Sequence, residues 1–469
     1  MYYLLPFRFE RINNKELLIN EVGDYLFVPN GTVSKIINRE IMIDSSIYKD
    51  LLSSFFISER PIPSLIDNLA SRLRTKKSFL DEFTALHIFV LTLRCNHNCI
   101  YCQASSRDDL GTGYDMNEAD LIAAVNLMFQ SPSSSYTMEF QGGEPTLSPK
   151  LLKLGIELAE ELNKIYCKEI TYVLCTNSIN LTDEVLSICE DYAVLISTSL
   201  DGGETLHNKN RGKADSYSRV IGGINKARER LGYDRVSALM TASEESLNYP
   251  KEIIDSYIEN GFNSIFLRAL NPYGLASKYS DWDEYYVHFI EFYKEALDYI
   301  LELNKKGLFF IEEFTALIVR KILTPFSIGF VDLQSPSGIV NNVVVYNYDG
   351  YVYASDESRM LAEHNDYTFR LGHVKEDYNH IFYGQKVQEI AQIWSTEILA
   401  GCSDCVFMSY CGADPVRNHS TQGDMYGFRP NSSFCKKHKE IMKHIFTLLD
   451  ERETEVLSIF KNWITNSAG

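Results

Sequence analysis

The sequence predicts an α/β fold built on a parallel sheet, and three observations point to it. Six apolar runs of strand character alternate with six stretches of 3.6-residue periodicity. A cysteine triplet follows the first of those strands, and parallel β/α folds place their chemistry at the C-terminal ends of strands. A second cysteine group lies far downstream, at Cys402–Cys435. With 469 residues the chain exceeds one hydrophobic core and should divide into two or three domains.

Strands are expected near 86–93, 136–141, 169–175, 193–199, 234–241 and 262–268, and helices near 117–130, 149–164, 181–190, 216–231, 248–260 and 281–306. Strict alternation of this kind needs crossover helices, hence parallel strands. Upstream, Leu17–Val28 reads as a hairpin turning at Gly23-Asp24, followed by helices near 46–56 and 63–74. The basic run Arg72, Arg74, Lys76, Lys77 reads as a solvated helix face. Lys+Arg 45 against Asp+Glu 63 gives a net charge of −18, which argues against binding a nucleic-acid backbone. There is no signal-peptide pattern and no apolar run of about eighteen residues, so no membrane crossing is expected. No internal repeat stands out.

Cys95, Cys99 and Cys102 stand in C-N-H-N-C-I-Y-C. Three thiolates on one short loop can hold three corners of a [4Fe–4S] cube and leave one iron for another ligand. A zinc site completed from elsewhere is the alternative, with His97 inside the loop as a competitor. Cys402, Cys405, Cys411 and Cys435 follow CxxC-x5-C-x23-C, and four thiolates close a site. Zinc fits that bare spacing too, with His419 and His438 nearby. Cys167, Cys175 and Cys189 are expected in the core, Cys175 nearest the active face. Ten cysteines grouped for metal point to a reducing cytosol, hence a cytoplasmic protein.

The triplet with aromatic Tyr101, the loop Gln141-Gly142-Gly143-Glu144-Pro145, Thr176-Asn177, Ser199-Leu200-Asp201-Gly202, His207 and Arg211 together resemble the radical SAM superfamily in residue type and order. The resemblance implies an open, partial (β/α)6 TIM barrel. It implies a catalytic [4Fe–4S] cluster on Cys95, Cys99 and Cys102, whose open iron is chelated by S-adenosylmethionine, the source of a 5′-deoxyadenosyl radical. Tyr101 would then lie against the adenine, and Gly142, Gly143 and Glu144 would meet the methionine amino group. Ser199 and Arg211 would hold the carboxylate and ribose, a task suited to a guanidinium. Asp201 either serves the substrate or caps its turn. Leu267-Arg268-Ala269-Leu270-Asn271-Pro272 resembles the family's strand-six segment near the adenosine, or is a plain strand end.

The second cysteine group resembles the SPASM extension of radical SAM peptide maturases, which implies an auxiliary [4Fe–4S] cluster. A complete SPASM domain holds two. Here Pro415 and Ser355 stand where cysteines of the other are expected, so one auxiliary cluster is expected, on Cys402, Cys405, Cys411 and Cys435. Leu5-Pro6-Phe7-Arg8-Phe9, Cys411–Pro415 and Gln422-Gly423-Asp424-Met425 resemble the radical SAM maturases of the His-Xaa-Ser peptide system. The organisation expected is residues 1–82 as an N-terminal α+β cap or peptide-recognition module, 83–320 as the radical SAM core, and 321–469 as the SPASM-like domain with a C-terminal helix. The function implied is an oxidoreductase that modifies, by cross-linking, a ribosomally synthesised precursor peptide, with an external electron donor and a paired radical SAM protein as partners. A sulfatase-type Ser/Cys-oxidising maturase is the alternative enzyme, and a non-catalytic Fe–S scaffold the alternative class.

Overall fold

The computed structural model describes residues 2–61, 63–81, 83–279, 281–451 and 453–466. Near its start the chain forms a three-stranded antiparallel sheet, β1 (Phe7–Ile12), β2 (Lys15–Asn20) and β3 (Tyr25–Pro29), followed by helices α1 (Ser46–Ser53) and α2 (Pro63–Lys76). The hairpin at Gly23-Asp24 is there, with Ile19 opposite Tyr25, and β1 adds a strand on its other side. The basic run on α2 corrects the expectation of a solvated face. Arg72 pairs with Asp24 at 2.7 and 2.5 Å, Lys77 pairs with Glu397, and Lys76 donates to the Lys321 carbonyl at 3.2 Å. Three of the four cations therefore tie α2 to the rest of the molecule, and only Arg74 stays with its own helix, at Ser71.

The main sheet holds eight strands. Five follow one another with crossover helices between: β4 (Leu86–Thr92), α3 (Glu118–Met128), β5 (Ser135–Gly142), α4 (Pro149–Tyr166), β6 (Glu169–Thr176), α5 (Asp183–Asp191), β7 (Leu195–Ser199), α6 (Glu204–Arg211), α7 (Ser216–Leu231) and β8 (Val236–Leu239). All neighbours in this run are parallel. Helix starts follow local chemistry: the Asn117 side chain accepts from the Asp120 amide, and Thr182 from Val185. After α8 (Pro250–Glu259), the expected sixth strand shrinks to β9 (Ser264–Ile265). It joins the sheet only through an Ala242–Ala269 bridge and pairs instead with β10 (Ile311–Glu312).

The sheet is mixed rather than wholly parallel because the chain returns to its other edge. After α9 (Trp282–Lys305) and α10 (Glu313–Leu323), β11 (Val343–Tyr346) lies parallel to β4. It then turns at Gly350 into antiparallel β12 (Tyr351–Tyr353) and β13 (Arg370–His373). One core packs β4–β7 against their helices, through residues such as Phe89, Phe140, Leu174, Val185 and Ile224. A second joins α9, α10, α13 (Ser433–Glu451) and α14 (Glu453–Asn466) to the β8 end of the sheet and the N-terminal strands. The N-terminal sheet docks where the second cysteine group lies: Arg8 donates to the Ser403 carbonyl at 2.5 Å, Tyr410 to Gly23 at 2.6 Å, and Glu10 meets Lys439 and Lys443.

Ser355 and Pro415 have evident local roles. Ser355 caps helix α11 (Asp356–Ala362), its hydroxyl accepting from the Ser358 amide at 3.3 Å in a capping box. Pro415 is the first residue of α12 (Pro415–Gln422), where a missing N–H costs nothing, behind Asp414 as N-cap. Of the three cysteines expected in the core, Cys189 is buried and Cys175 half-buried, but Cys167 is exposed. It ends α4 at φ 51°, a left-handed cap position that turns its side chain away from the core.

Candidate active site

Cys95, Cys99 and Cys102 line one side of a cavity of about 540 Å³ at the C-terminal ends of β4–β7, a size suited to a small-molecule site. Inward-facing positions of successive strands form its floor: Ile88 from β4, Glu139 and Gln141 from β5, Cys175 from β6 and Ser197 from β7. Register explains this, because Ile88 pairs with Glu139 and Cys175 with Ser197, and side chains alternate along each strand.

Each triplet sulfur has a hydrogen-bonding neighbour. Cys95 accepts from the His97 amide at 3.4 Å and from Asn177 Nδ2 at 3.9 Å, Cys99 from Arg211 Nη1 at 3.8 Å, and Cys102 lies 3.2 Å from Ser106 Oγ. Burial pushes the Cys95 and Cys99 thiols up, so binding metal as thiolates would release protons. His97 Nε2 sits 3.0 Å from Ser216 Oγ, which sits 3.0 Å from His207 Nε2, while its Nδ1 is buried without a hydrogen-bond partner. Burial lowers its pKa to about 3, which keeps the ring neutral.

The glycine loop is pressed onto the cysteine strand. A Cβ on Gly142, at φ 132°, would come within 2.4 Å of the Thr92 carbonyl, and one on Gly143 within 2.3 Å of Arg94 and 2.5 Å of Leu93. Only glycine allows that approach. Glu144 is committed elsewhere: fully buried, its carboxylate accepts from Thr146 N and Oγ1, Thr176 Oγ1 at 2.7 Å and Asn177 N at 2.8 Å. It bolts the end of β5 to the end of β6, while Gln141, Gly142 and Gly143 line the cavity.

Asp201 neither caps its turn nor faces the cavity. It accepts from Arg211 Nε at 2.8 Å and Nη2 at 2.7 Å, and from the Tyr101 hydroxyl at 2.6 Å, all buried. The guanidinium also lies 5.5 Å from the Tyr101 ring centre. Tyr101, Arg211 and Ser199 all line the cavity, so the structure brings the expected binding residues together, with Asp201 fixing two of them.

Cys402, Cys405, Cys411 and Cys435 gather beside the N-terminal sheet. Burial raises each thiol, Cys402 to about 11, and the others' proximity adds to this for Cys402, Cys405 and Cys411. Among the described residues no three His, Cys, Asp or Glu side chains converge as ligands of a single ion. A cube instead spreads its thiolates over separate irons, and both all-cysteine groups suit it in donor chemistry.

Residues 89–267 match the family model described as the Radical SAM superfamily. This segment is a radical SAM domain. Proteins of this superfamily use a [4Fe–4S] cluster and S-adenosylmethionine, and the chain is an enzyme of that kind. It is 22% identical over 378 residues to a cysteine-type anaerobic sulfatase-maturating enzyme of Clostridium perfringens, spanning 76% of this chain and 94% of that protein. Its radical SAM α/β fold matches native anSMEcpe with bound AdoMet at a TM-score of 0.64, with 19% identity, over 81% of this chain and 99% of the other. It matches Streptococcus suis SuiB bound to precursor peptide SuiA at 0.53, with 14% identity, over 93% and 100%.

The sequence reading did not single out Glu139, Asp332, Glu357 or Lys437, which also line the radical SAM cavity. Glu139 left a signal: in S-Y-T-M-E-F-Q, Tyr136, Met138 and Phe140 form the core face, so a charge alternates onto the other face of a central strand. Burial raises its carboxyl to about 7. Glu357 is likewise raised to about 7, by burial first and then by Asp356, Asp332 and Asp414.

Proposed function

We propose that this chain is a SPASM-type radical SAM maturase that modifies a ribosomally made peptide, forming a cross-link, and that it belongs with the maturases of the His-Xaa-Ser peptide system. The observation that carries this reading is the pair of cysteine groups: one lines a cavity with cofactor-sized room, and the other is closed and set apart beside the N-terminal sheet.

Cys95, Cys99 and Cys102 would hold the catalytic cluster at the mouth of a partial (β/α)6 barrel. Bound there, cluster and S-adenosylmethionine supply a 5′-deoxyadenosyl radical able to take hydrogen from unactivated carbon. The chain's own residues orient and enclose. Gln141–Gly143 offer backbone polar groups to the methionine end, Arg211 presents its one edge not held by Asp201, and Tyr101 and Ser199 line the same wall. Cys402, Cys405, Cys411 and Cys435 would hold one auxiliary cluster, and having no open position it would accept or relay an electron, while an external electron donor supplies the reduced protein. Residues 1–82 would guide a leader segment, since β1 and β3 are edge strands of their sheet, and a paired radical SAM protein would share the peptide. The domain limits 83–320 and 321–469 serve as working boundaries.

The relationship to the sulfatase-maturating enzyme favours a second reading, oxidation of a Ser or Cys side chain to an aldehyde. Mass spectrometry separates the two. Reduced protein, S-adenosylmethionine and the candidate peptide should give a product lighter by a pair of hydrogens that does not react with hydrazide. A hydrazide-reactive product would favour the second reading.

A further inference from the structure

Two cations line the radical SAM cavity without an ion-pair partner. Lys437, on α13, is only 9% exposed, and Arg268 follows the residue at which the superfamily match ends. Among the described residues, neither side chain has a carboxylate within 4.0 Å or a hydrogen bond to a protein acceptor. The other two cavity cations are spoken for, Arg211 by Asp201 and Arg359 by Asp356 at 2.7 Å. Asp332, Glu139 and Glu357 line the same cavity, but among the described residues none of their carboxylates lies within 4.0 Å of either cation.

A nine-tenths-buried charge with no partner is costly, and a ligand of opposite charge removes the cost. S-adenosylmethionine is the ligand shared by the whole superfamily, yet Lys437 lies far beyond residues 89–267, at whose end Arg268 stands. Cavity-lining residues from beyond that segment include Phe314, Phe330, Asp332, Glu357 and Ile441. We infer that Arg268 and Lys437 form the seat for a carboxylate of the peptide substrate. This rests on the peptide-modifying reading and adds the chemical class of group that this end of the cavity accepts. The carboxylate is either an Asp or Glu side chain or the peptide C-terminus.

The test titrates reconstituted holoenzyme, in the presence of S-adenosylmethionine, with three probes: acetyl-Gly-Asp-Gly-amide, acetyl-Gly-Asn-Gly-amide and acetyl-Gly-Gly-Gly with a free C-terminus. Either the Asp probe or the free-terminus probe should bind at least about tenfold tighter than the Asn probe, the worth of charge-assisted hydrogen bonds. Which of the two wins identifies the source. Lys437→Gln and Arg268→Gln should each erase that preference, Lys437→Arg should restore it, and Lys437→Gln should leave affinity for S-adenosylmethionine unchanged. Iron content and circular dichroism confirm folding, and the probe comparison on native protein needs no variant. No preference in the native protein overturns the proposal. So does a loss of S-adenosylmethionine affinity in the variants with the preference intact. Succinate bound as tightly as the best tripeptide would uphold the carboxylate seat and count instead against the peptide reading.

Discussion

Asp201 grips Arg211 by two nitrogens of one edge, Nε at 2.8 Å and Nη2 at 2.7 Å, and leaves Nη1 3.8 Å from the sulfur of Cys99. The carboxylate is wholly buried and the guanidinium nearly so. A buried pair is far more costly to break than it is worth as an interaction, because the survivor keeps its charge without a partner. Asp201→Asn should therefore cost about 3 kcal/mol in denaturant unfolding and weaken binding of S-adenosylmethionine. Arg211→Lys should not rescue it, since an ammonium cannot satisfy both oxygens in one plane. Unchanged stability in Asp201→Asn would show that the pair positions nothing.

The closeness of Gly143 to the carbonyls of Leu93 and Arg94 makes a second expectation. Gly143→Ala should cost about 2 kcal/mol by overpacking and displace the strand leading into Cys95. The loss should appear in S-adenosylmethionine affinity and in the iron retained by the triplet. Gly203→Ala, at a position where a Cβ meets nothing within 4 Å, is the control.

Glu139 and Glu357 give the cavity a pH dependence. Both carboxyls are raised from 4.5 to about 7, so the folded protein holds more protons than the unfolded chain between those values. Their contribution to stability is complete below pH 4.5 and is lost as pH rises towards 7. Glu139→Gln should flatten the fall in unfolding free energy across that window. A variant profile parallel to the native one would place the charged form at no disadvantage.

Much of this was legible because β4–β8 and their helices obey simple periodicities, and because cysteine spacing survives folding unaltered. What was missed depends on partners distant in sequence. α6 is nearly all polar, E-T-L-H-N-K-N-R, and has little apolar pattern to reveal it. The sixth strand is shortened because β10, at Ile311–Glu312, takes over its pairing. The basic run on α2 looked solvated until Asp24, Lys321 and Glu397 were brought to it. Glu144 is the sharpest case. Its place in the glycine loop suggested a ligand contact, and the fold gave its carboxylate to Thr146, Thr176 and Asn177.

Cys435 lies in the first turn of the helix that carries Lys437 to the cavity and closes the second cysteine group across α12. Cys435→Ala should impair peptide modification far more than S-adenosylmethionine cleavage without peptide, which needs the triplet alone. Native peptide turnover in a folded variant shown spectroscopically to lack its auxiliary cluster would make the second site structural.

Metal content tests the central claim most directly, that two separate cysteine groups build two [4Fe–4S] clusters and only the triplet does the S-adenosylmethionine chemistry. Anaerobically reconstituted protein should hold about eight iron and about eight sulfide. With Cys95, Cys99 and Cys102 all changed to Ala, about four iron should remain and 5′-deoxyadenosine formation should vanish. Stoichiometric zinc in the native protein, about twelve iron, or loss of all iron from the triple variant would contradict the account.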